Sequence, residues 1–209
     1  MEIIISEIQE DIKWRVNEIT TLKTIPLRYN LQKNHQNSII IYSIPAYYAL
    51  WEGYLKNSFE LLTNYINKLE LDYSTVNVNL LTHAIENRCN LGNERKYFDK
   101  KMKSVGVLTQ FYKEPFRIEQ GVPTESNVNF KVTNRVLERF CIQSMDNKYE
   151  KPLDRLLLFR NKIAHGENSI KVKREDIDEF SLLVENLMYE ILILIEKYID
   201  TKGYLMKSN

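Results

Sequence analysis

The sequence has few of the residues that turns and disulfide bonds need. It contains 6 glycines and 5 prolines in 209 residues, about half of the ~12% share usual in soluble proteins. Because β-rich folds need such residues at their many turns, the shortage predicts a mostly helical protein. Two cysteines, Cys89 and Cys141, provide neither a disulfide framework nor a four-ligand zinc site. A reducing compartment suits them, and we expect a cytoplasmic protein.

Net charge and long apolar runs are also missing. Lys and Arg number 29 against 28 Asp and Glu, a net charge of +1, so nucleic acid could be bound only by local patches or a groove. The apolar run at residues 191–195 lies between Glu190 and Glu196 and is far shorter than the ~20 residues of a membrane span. We expect no membrane partner. The acidic start of the chain, residues 1–11, also differs from a signal peptide, so we expect no export by that route.

Apolar residues recur at intervals of three and four, the period of amphipathic helices. We predict a first helix that starts near Ile5 and is ended by Pro26. A second helix is predicted within residues 39–71, and Pro45 should either kink it or mark the start of its straight part. Polar residues 30–38 are predicted to be a loop. The last helix has the clearest stripe and stops before Gly203; its apolar positions are Ile177, Phe180, Val184, Leu187, Ile191, Leu194 and Tyr198.

The middle of the chain, residues 72–133, has a broken period because glycines and prolines interrupt it. Short helices are predicted near 80–88 and 96–111, and a loop with one extended piece over 118–130. Further helices are predicted from Val132 to about Cys141 and over 153–164, behind Pro152. We expect an all-α helical bundle forming one domain, residues 1–209, with an irregular insertion at 72–133.

Only three histidines are present, and one of them has polar neighbours suited to chemistry. His35 is expected in an exposed loop and His83 as a packed or surface residue. His165 follows Arg160 and Asn161 at the end of a helix that Gly166 stops. Asn161 and His165 lie ~40° apart on a helix and could touch, with Arg160 one position round.

The negative end of the helix dipole favours a protonated His165 imidazole, which could transfer protons near neutral pH. The planar Arg160 guanidinium is a natural partner for a phosphate. Together these are the parts for phosphodiester cleavage without a metal ion.

The phrase Arg160-Asn161-x3-His165 resembles the motif of HEPN ribonucleases, in which four to six residues lie between an Arg, often followed by a polar residue, and a His. The phrase Trp51-Glu52-Gly53-Tyr54-Leu55-Lys56 is similar to the Glu-Gly-x-x-Lys signature of the MAE-type branch of bacterial HEPN nucleases. The resemblance covers residues 39–71 and 153–199. Arg28 and His35 also have a matching spacing, which we interpret as accidental because Tyr29 follows Arg28.

This resemblance implies an all-α HEPN bundle that acts as a metal-independent endoribonuclease of toxin or antiphage-defence type, without a cofactor. It implies a homodimer in which two copies of the motif share each site. Arg160, His165 and Asn161 would be catalytic and Glu52 supporting. It leaves open whether a cognate antitoxin or a defence-system partner regulates the protein.

Nearby basic residues are candidates for RNA binding. Those beside the motif are Lys162, Lys171, Lys173 and Arg174, and a second cluster comprises Arg88, Arg95, Lys96, Lys100, Lys101 and Lys103.

Other interpretations stay open at this point. The domain could be a noncatalytic HEPN module that binds RNA, a nucleotide or a partner protein through the same groove. It could also be a scaffold whose functional surface is residues 72–133. Locally, Arg160 and His165 could only cap and solvate a helix end, and Glu52 could pair with Lys56 one turn later on an exposed face.

Overall fold

The computed structural model describes residues 2–86, 98–119, 121, 127–167 and 171–206. These residues form seven α-helices and no strand beyond one isolated bridge, from Val76 to Leu205, so the expected all-α fold is confirmed. The helices are α1 (Glu2–Arg28), α2 (Lys33–Asn67), α3 (Val78–Ile85), α4 (Phe98–Phe111), α5 (Phe130–Arg139), α6 (Glu150–Ala164) and α7 (Arg174–Asp200).

Helix α2 lies at the centre of the bundle and contacts α1, α6 and α7. Its aromatic side chains Tyr47, Trp51, Tyr54 and Phe59 are fully buried, because side chains three and four residues apart fall on one face. The matching face of α7 carries the predicted stripe from Ile177 to Tyr198, and every member of it is buried. None of the helices in the described part of the chain is long and apolar enough to cross a bilayer.

The predicted boundaries on both sides of the α1–α2 connection are wrong. Helix α1 continues through Pro26 to Arg28, and α2 begins at Lys33, inside the stretch predicted to be a loop. His35 is therefore exposed on the first turn of α2 rather than in a loop. Proline makes a helical turn locally unfavourable at this point. Because Pro26 is buried, tertiary packing outweighs that local preference and the turn stays helical. Pro45 lies inside α2.

An almost fully buried ion pair within α1 positions an arginine that also bonds to α2. Arg15 donates through Nε to Asp11 at 2.9 Å and through Nη1 to the carbonyl of Leu50 at 2.9 Å. A Cβ atom on Gly53 would stand 3.0 Å from Nη1 of Arg15. The glycine of the Glu-Gly-x-x-Lys phrase thus leaves room for the guanidinium to reach the α2 backbone.

The described parts of residues 72–133 pack on the bundle instead of standing apart from it. Phe116 and Val128 are fully buried, and Asn67 exchanges two hydrogen bonds with the backbone of Ile118, at 2.8 and 2.9 Å. The short helices predicted here are confirmed as α3 and α4. The predicted loop over 118–130 is non-helical at its described positions up to 129, while Phe130 begins α5. Whether the region is an insertion stays a prediction.

Helix α5 ends at Arg139 instead of continuing to Cys141, whose φ is 60°. A left-handed residue breaks the helical hydrogen-bond pattern. Part of the second basic cluster lies outside the described residues, namely Arg88, Arg95, Lys96 and the side chain of Lys100. The same is true of Cys89. Lys101 and Lys103 are exposed on α4.

His83 is a structural histidine of the α3–α5 contact. Its side chain is buried against Phe140, and Arg139 donates to Nδ1 at 3.0 Å. Burial and the Arg139 charge lower the pKa of His83, which keeps the ring neutral and able to accept that hydrogen bond.

Candidate functional site

The candidate site begins where α6 ends, and its backbone there forms a Schellman motif. His165 is the C-cap residue, and Gly166 has a φ of +71°. The N–H of Gly166 donates to Ile163 O at 3.1 Å, and that of Glu167 donates to Lys162 O at 2.9 Å. Glycine suits this left-handed position because a Cβ atom would be strained there. The predicted stop at Gly166 is therefore confirmed, and the cap fixes the backbone that carries His165.

The Arg160 side chain is held by three contacts from three parts of the chain. Its guanidinium carbon lies 4.8 Å from the centre of the Tyr48 ring on α2, a stacked cation–π arrangement. Its Nη1 atom donates to Oδ1 of Asn161 at 2.8 Å and, more weakly, to Oδ1 of Asn127 at 3.4 Å. Because both bonds use one nitrogen, the described contacts leave Nη2 and Nε of Arg160 for a ligand.

Tyr48 and Trp51 fasten the residues before α5 to α2. The N–H of Val128 donates to the Tyr48 hydroxyl at 2.6 Å, and the Trp51 indole donates to Val128 O at 3.4 Å. Burial raises the pKa of Tyr48, opposed by the Val128 N–H and assisted by the Glu52 carboxylate. The phenol therefore stays neutral. Because Asn127 directly precedes Val128, the bonds that hold Val128 against α2 also position Asn127 beside Arg160.

Glu52 lies one helical turn after Tyr48 and is half-buried. Its carboxylate contributes to the raised pKa of the Tyr48 hydroxyl. No salt bridge joins Glu52 to the exposed Lys56, both of which the structure describes, so the i, i+4 pairing considered from the sequence is not formed. The structure thus places Glu52 beside the group that stacks on Arg160.

His165 is exposed, and no described residue makes a hydrogen bond or ion pair with its imidazole. The backbone N–H of His165 donates to Asn161 O at 3.0 Å, but no hydrogen bond joins the two described side chains, and Oδ1 of Asn161 accepts from Arg160. His165 lies five positions after Arg160, about 7.5 Å along the axis of an α-helix. One cationic group is thus held in place, while one imidazole of the same segment faces solvent.

The candidate RNA-binding residues fall into two groups. Lys162 is half-buried on α6, while Lys171 and Lys173 are exposed just before α7. Arg174 donates to the backbone carbonyl of Lys23 at 3.1 Å and lies 3.8 Å from Asp178. Arg174 therefore holds the end of α1 against α7, whereas the lysines have no such structural partner among the described side chains.

A cluster of charged and aromatic residues sets the position of α6 against α7. Arg155 forms ion pairs with Asp176 and Glu179, and its guanidinium lies 5.0 Å from the ring centres of both Phe159 and Phe180. Asp176 also accepts from the N–H of Lys173 at 2.7 Å, capping α7. The ion pairs and ring contacts of Arg155 hold in place the turn of α6 that precedes Arg160.

Sequence reasoning missed Tyr48 and Asn127. Tyr48 could have been found, because it precedes Glu52 by four residues and so lies on the same side of α2. Asn127 gave no signal, since it lies 33 residues before Arg160 in a stretch without periodicity. Among the described residues, no three His, Cys, Asp or Glu side chains are grouped as metal ligands would be.

Comparison with protein families identifies the class of this bundle. The model of the MAE_28990-like HEPN family matches residues 4–204, which include the middle region as well as the two phrases that carried the resemblance. The chain therefore belongs to this HEPN family, and that membership indicates a nuclease or an RNA-binding module. No curated protein and no solved structure matches the chain significantly.

We predict that Gly166→Ala destabilises the protein by about 1 kcal/mol, because alanine is strained in the left-handed conformation, whereas Gly166→Asn costs less. Unfolding in urea measures both changes. Gly106→Ala is the matched control: Gly106 lies inside α4 with nothing within 4 Å of an added Cβ atom, so alanine should stabilise by roughly 0.5–1 kcal/mol. Equal effects at positions 166 and 106 would contradict the conformational explanation.

Proposed function

We propose that this protein is a metal-independent endoribonuclease of toxin or antiphage-defence type, with a site shared across a homodimer. The observation that carries the proposal is the contrast at the end of α6. Arg160 is fixed by Tyr48, Asn127 and Asn161, while the imidazole of His165 is exposed on a capped helix end. A fixed cation and an accessible proton carrier are the two groups that RNA transesterification needs.

In the proposed reaction, a ribose 2′-hydroxyl attacks the adjacent phosphorus. His165 accepts the proton of that hydroxyl, and the partner's His165 gives a proton to the departing 5′ oxygen. The free edge of Arg160 stabilises the negative charge that accumulates on the phosphorane. The products are a 2′,3′-cyclic phosphate and a 5′-hydroxyl end.

The amides beside Arg160 support binding of the same phosphate. Asn161 and Asn127 both turn their Oδ1 atoms toward Nη1 of Arg160, which leaves their Nδ2 groups as donors. A phosphate oxygen would then meet one guanidinium edge and neutral N–H groups. Lys162, Lys171 and Lys173 extend the positive charge for the flanking RNA backbone.

An exposed apolar residue on the motif face supports the homodimer. Leu158 is 51% exposed and precedes Lys162 and His165 at helical spacings of four and seven, so the three share one face of α6. Contact between two such faces would cover Leu158 and bring the two copies of the motif together.

The first test is incubation of the purified protein with total RNA in EDTA, followed by end-group analysis. We expect cyclic-phosphate and 5′-hydroxyl ends. His165→Ala and Arg160→Ala should each slow cleavage by ~10² to 10⁴, the usual cost of losing a proton carrier or a charge stabiliser. The matched control is His35→Ala, which removes an exposed histidine of α2 and should leave the rate unchanged.

The assignment is wrong if both site variants cleave like the parent protein, if cleavage needs magnesium, or if DNA without a single ribose is cut. Stable binding of intact RNA without cleavage would instead identify a noncatalytic RNA-binding module.

We predict that the Tyr48 ring supports RNA cleavage by holding the Arg160 guanidinium in position. Tyr48→Leu removes the stacked ring and should reduce the cleavage rate about tenfold, whereas Tyr48→Phe keeps the ring and most of the activity. Single-turnover cleavage with both variants measures the effect, and circular dichroism checks that they are folded. A Tyr48→Leu variant as active as the parent would rule out this role.

We predict that Leu158→Glu makes the protein monomeric at concentrations where the parent is a dimer, and lowers cleavage with it, because a charge replaces the apolar centre of the contact. Sedimentation velocity and the RNA assay measure the two effects. Val78→Glu changes an equally apolar, exposed residue of α3 and should alter neither. A Leu158→Glu variant that stays dimeric would exclude this face as the dimer contact.

A further inference from the structure

A polar groove lies along the second half of α2. One wall is α2 itself, with Lys56, Glu60 and Asn64, and the other is the chain after α4, with Ile118 and Glu119. We call this feature the α2 groove. Its volume is about 390 Å³, which falls within the ~300–1,000 Å³ range of small-molecule pockets. The α2 groove is therefore large enough for one nucleotide base.

The wall opposite α2 is held in place by hydrogen bonds. The Asn67 side chain of α2 donates to Ile118 O at 2.9 Å and accepts from the Ile118 N–H at 2.8 Å. The N–H of Phe116 donates to Leu71 O at 2.7 Å, and both Phe116 and Ile118 are buried. Because this wall is fixed before a ligand arrives, binding in the groove would not have to order it.

Two opposite charges on the α2 wall are left unpaired. Lys56 and Glu60 are exposed and lie one helical turn apart, a spacing at which opposite charges can form a salt bridge. No salt bridge joins them, and neither side chain bonds to another described residue. The amide of Asn64, one turn further along, likewise has no described partner. The groove therefore offers a cationic donor, a carboxylate acceptor and an amide.

These groups suit a neutral ligand better than a phosphate. Lys56 and Glu60 cancel in charge, and Glu119 adds another carboxylate to the lining, so a phosphate would gain no net attraction. A nucleotide base is neutral and presents hydrogen-bond donors and acceptors along one edge. The lining therefore favours a base of a nucleic acid over its backbone.

Guanine is the base whose edge fits this set of groups. Its N1–H and 2-amino groups are neighbouring donors that one carboxylate can accept together, since each of the two carboxylate oxygens takes one hydrogen bond. The O6 atom beside them accepts from a cation or an amide. Adenine, cytosine and uracil each have only one donor group on that edge. A carboxylate next to a lysine thus selects guanine among the four bases.

The α2 groove lies on the side of the helix that carries Arg160. Tyr48, Glu52 and Lys56 follow one another at intervals of four positions, so they occupy neighbouring positions on one side of α2. Glu60 lies twelve positions after Tyr48, about 18 Å along the helix axis. A few nucleotides of single-stranded RNA can cover that distance, so one strand could reach both places.

We propose that the α2 groove binds a guanine base of the RNA substrate, a few nucleotides away from the scissile bond. Glu60 accepts from the N1–H and the 2-amino group, while Lys56 and Asn64 donate to O6. This inference rests on the function proposed above, because it takes RNA to be the substrate. It adds a base preference to that function.

Binding of short RNA strands to the His165→Ala variant tests the groove while the strands stay intact. One strand is an oligouridine with a single central guanosine, and the other has inosine there, which lacks only the 2-amino group. We expect the guanosine strand to bind about tenfold more tightly, a difference of about 1.4 kcal/mol. Adding Glu60→Gln should abolish this preference, because a single amide oxygen cannot accept as the carboxylate does.

Two further variants serve as controls. Glu18→Gln changes an exposed carboxylate of α1 outside the groove and should keep the tenfold preference. Lys56→Met should weaken both strands and leave their ratio unchanged, because inosine keeps O6. Equal affinities of the two strands for the intact groove would overturn the proposal. A preference that survives Glu60→Gln, or one that Lys56→Met removes, would do the same.

The nuclease function and the guanine preference can fail separately. In a protein that cleaves, guanosine should be enriched at a fixed position near the mapped 5′-hydroxyl ends, and Glu60→Gln should remove the enrichment. Cleavage without such a preference would reject the groove and keep the nuclease. A preference that depends on Glu60, in a protein that cleaves no RNA, would reject the nuclease and keep the groove.

Discussion

One short stretch of α2, residues 48–54, holds four other parts of the molecule in place. The Tyr48 ring carries Arg160 of α6, and its hydroxyl and the Trp51 indole hold Val128 before α5. Gly53 leaves room for Arg15 of α1, and the Tyr54 hydroxyl donates to Met188 O on α7 at 2.8 Å. Because consecutive residues of a helix point in different directions, two turns can contact every neighbour. The site therefore depends on the same turns as the core.

The fold restrains the two side chains proposed as catalytic, Arg160 and His165, to different degrees. Arg160 is stacked, hydrogen-bonded and half-buried, so its long side chain gives up little entropy when it meets a phosphate. His165 is fixed only through its backbone, by the Schellman cap, and its ring stays accessible. A charge stabiliser benefits from a rigid position, whereas a proton carrier must reach substrate atoms. The division of roles in the proposed mechanism follows this difference in restraint.

Sequence patterns predicted the helices better than their ends. The stripe of α7 is buried as its spacing requires, since period and burial have the same cause. Pro26 and the polar start of α2 misled the prediction because local propensity is weak against tertiary packing. Within the site, helical spacing allowed Asn161 to touch either neighbour, and its Oδ1 atom accepts from Arg160. Helical spacing gives the pairs that can touch, but the neighbours of the helix decide which pair forms.

The sequence by itself determined the all-α class, the positions of the long helices, the stop at Gly166 and the HEPN resemblance. Each of these depends on residue type and spacing within a short segment. Only the tertiary structure decided that Tyr48 and Asn127 accompany Arg160 and that Arg174 supports α1. Such relations join residues far apart in the chain, and they exist only after packing has brought those residues together.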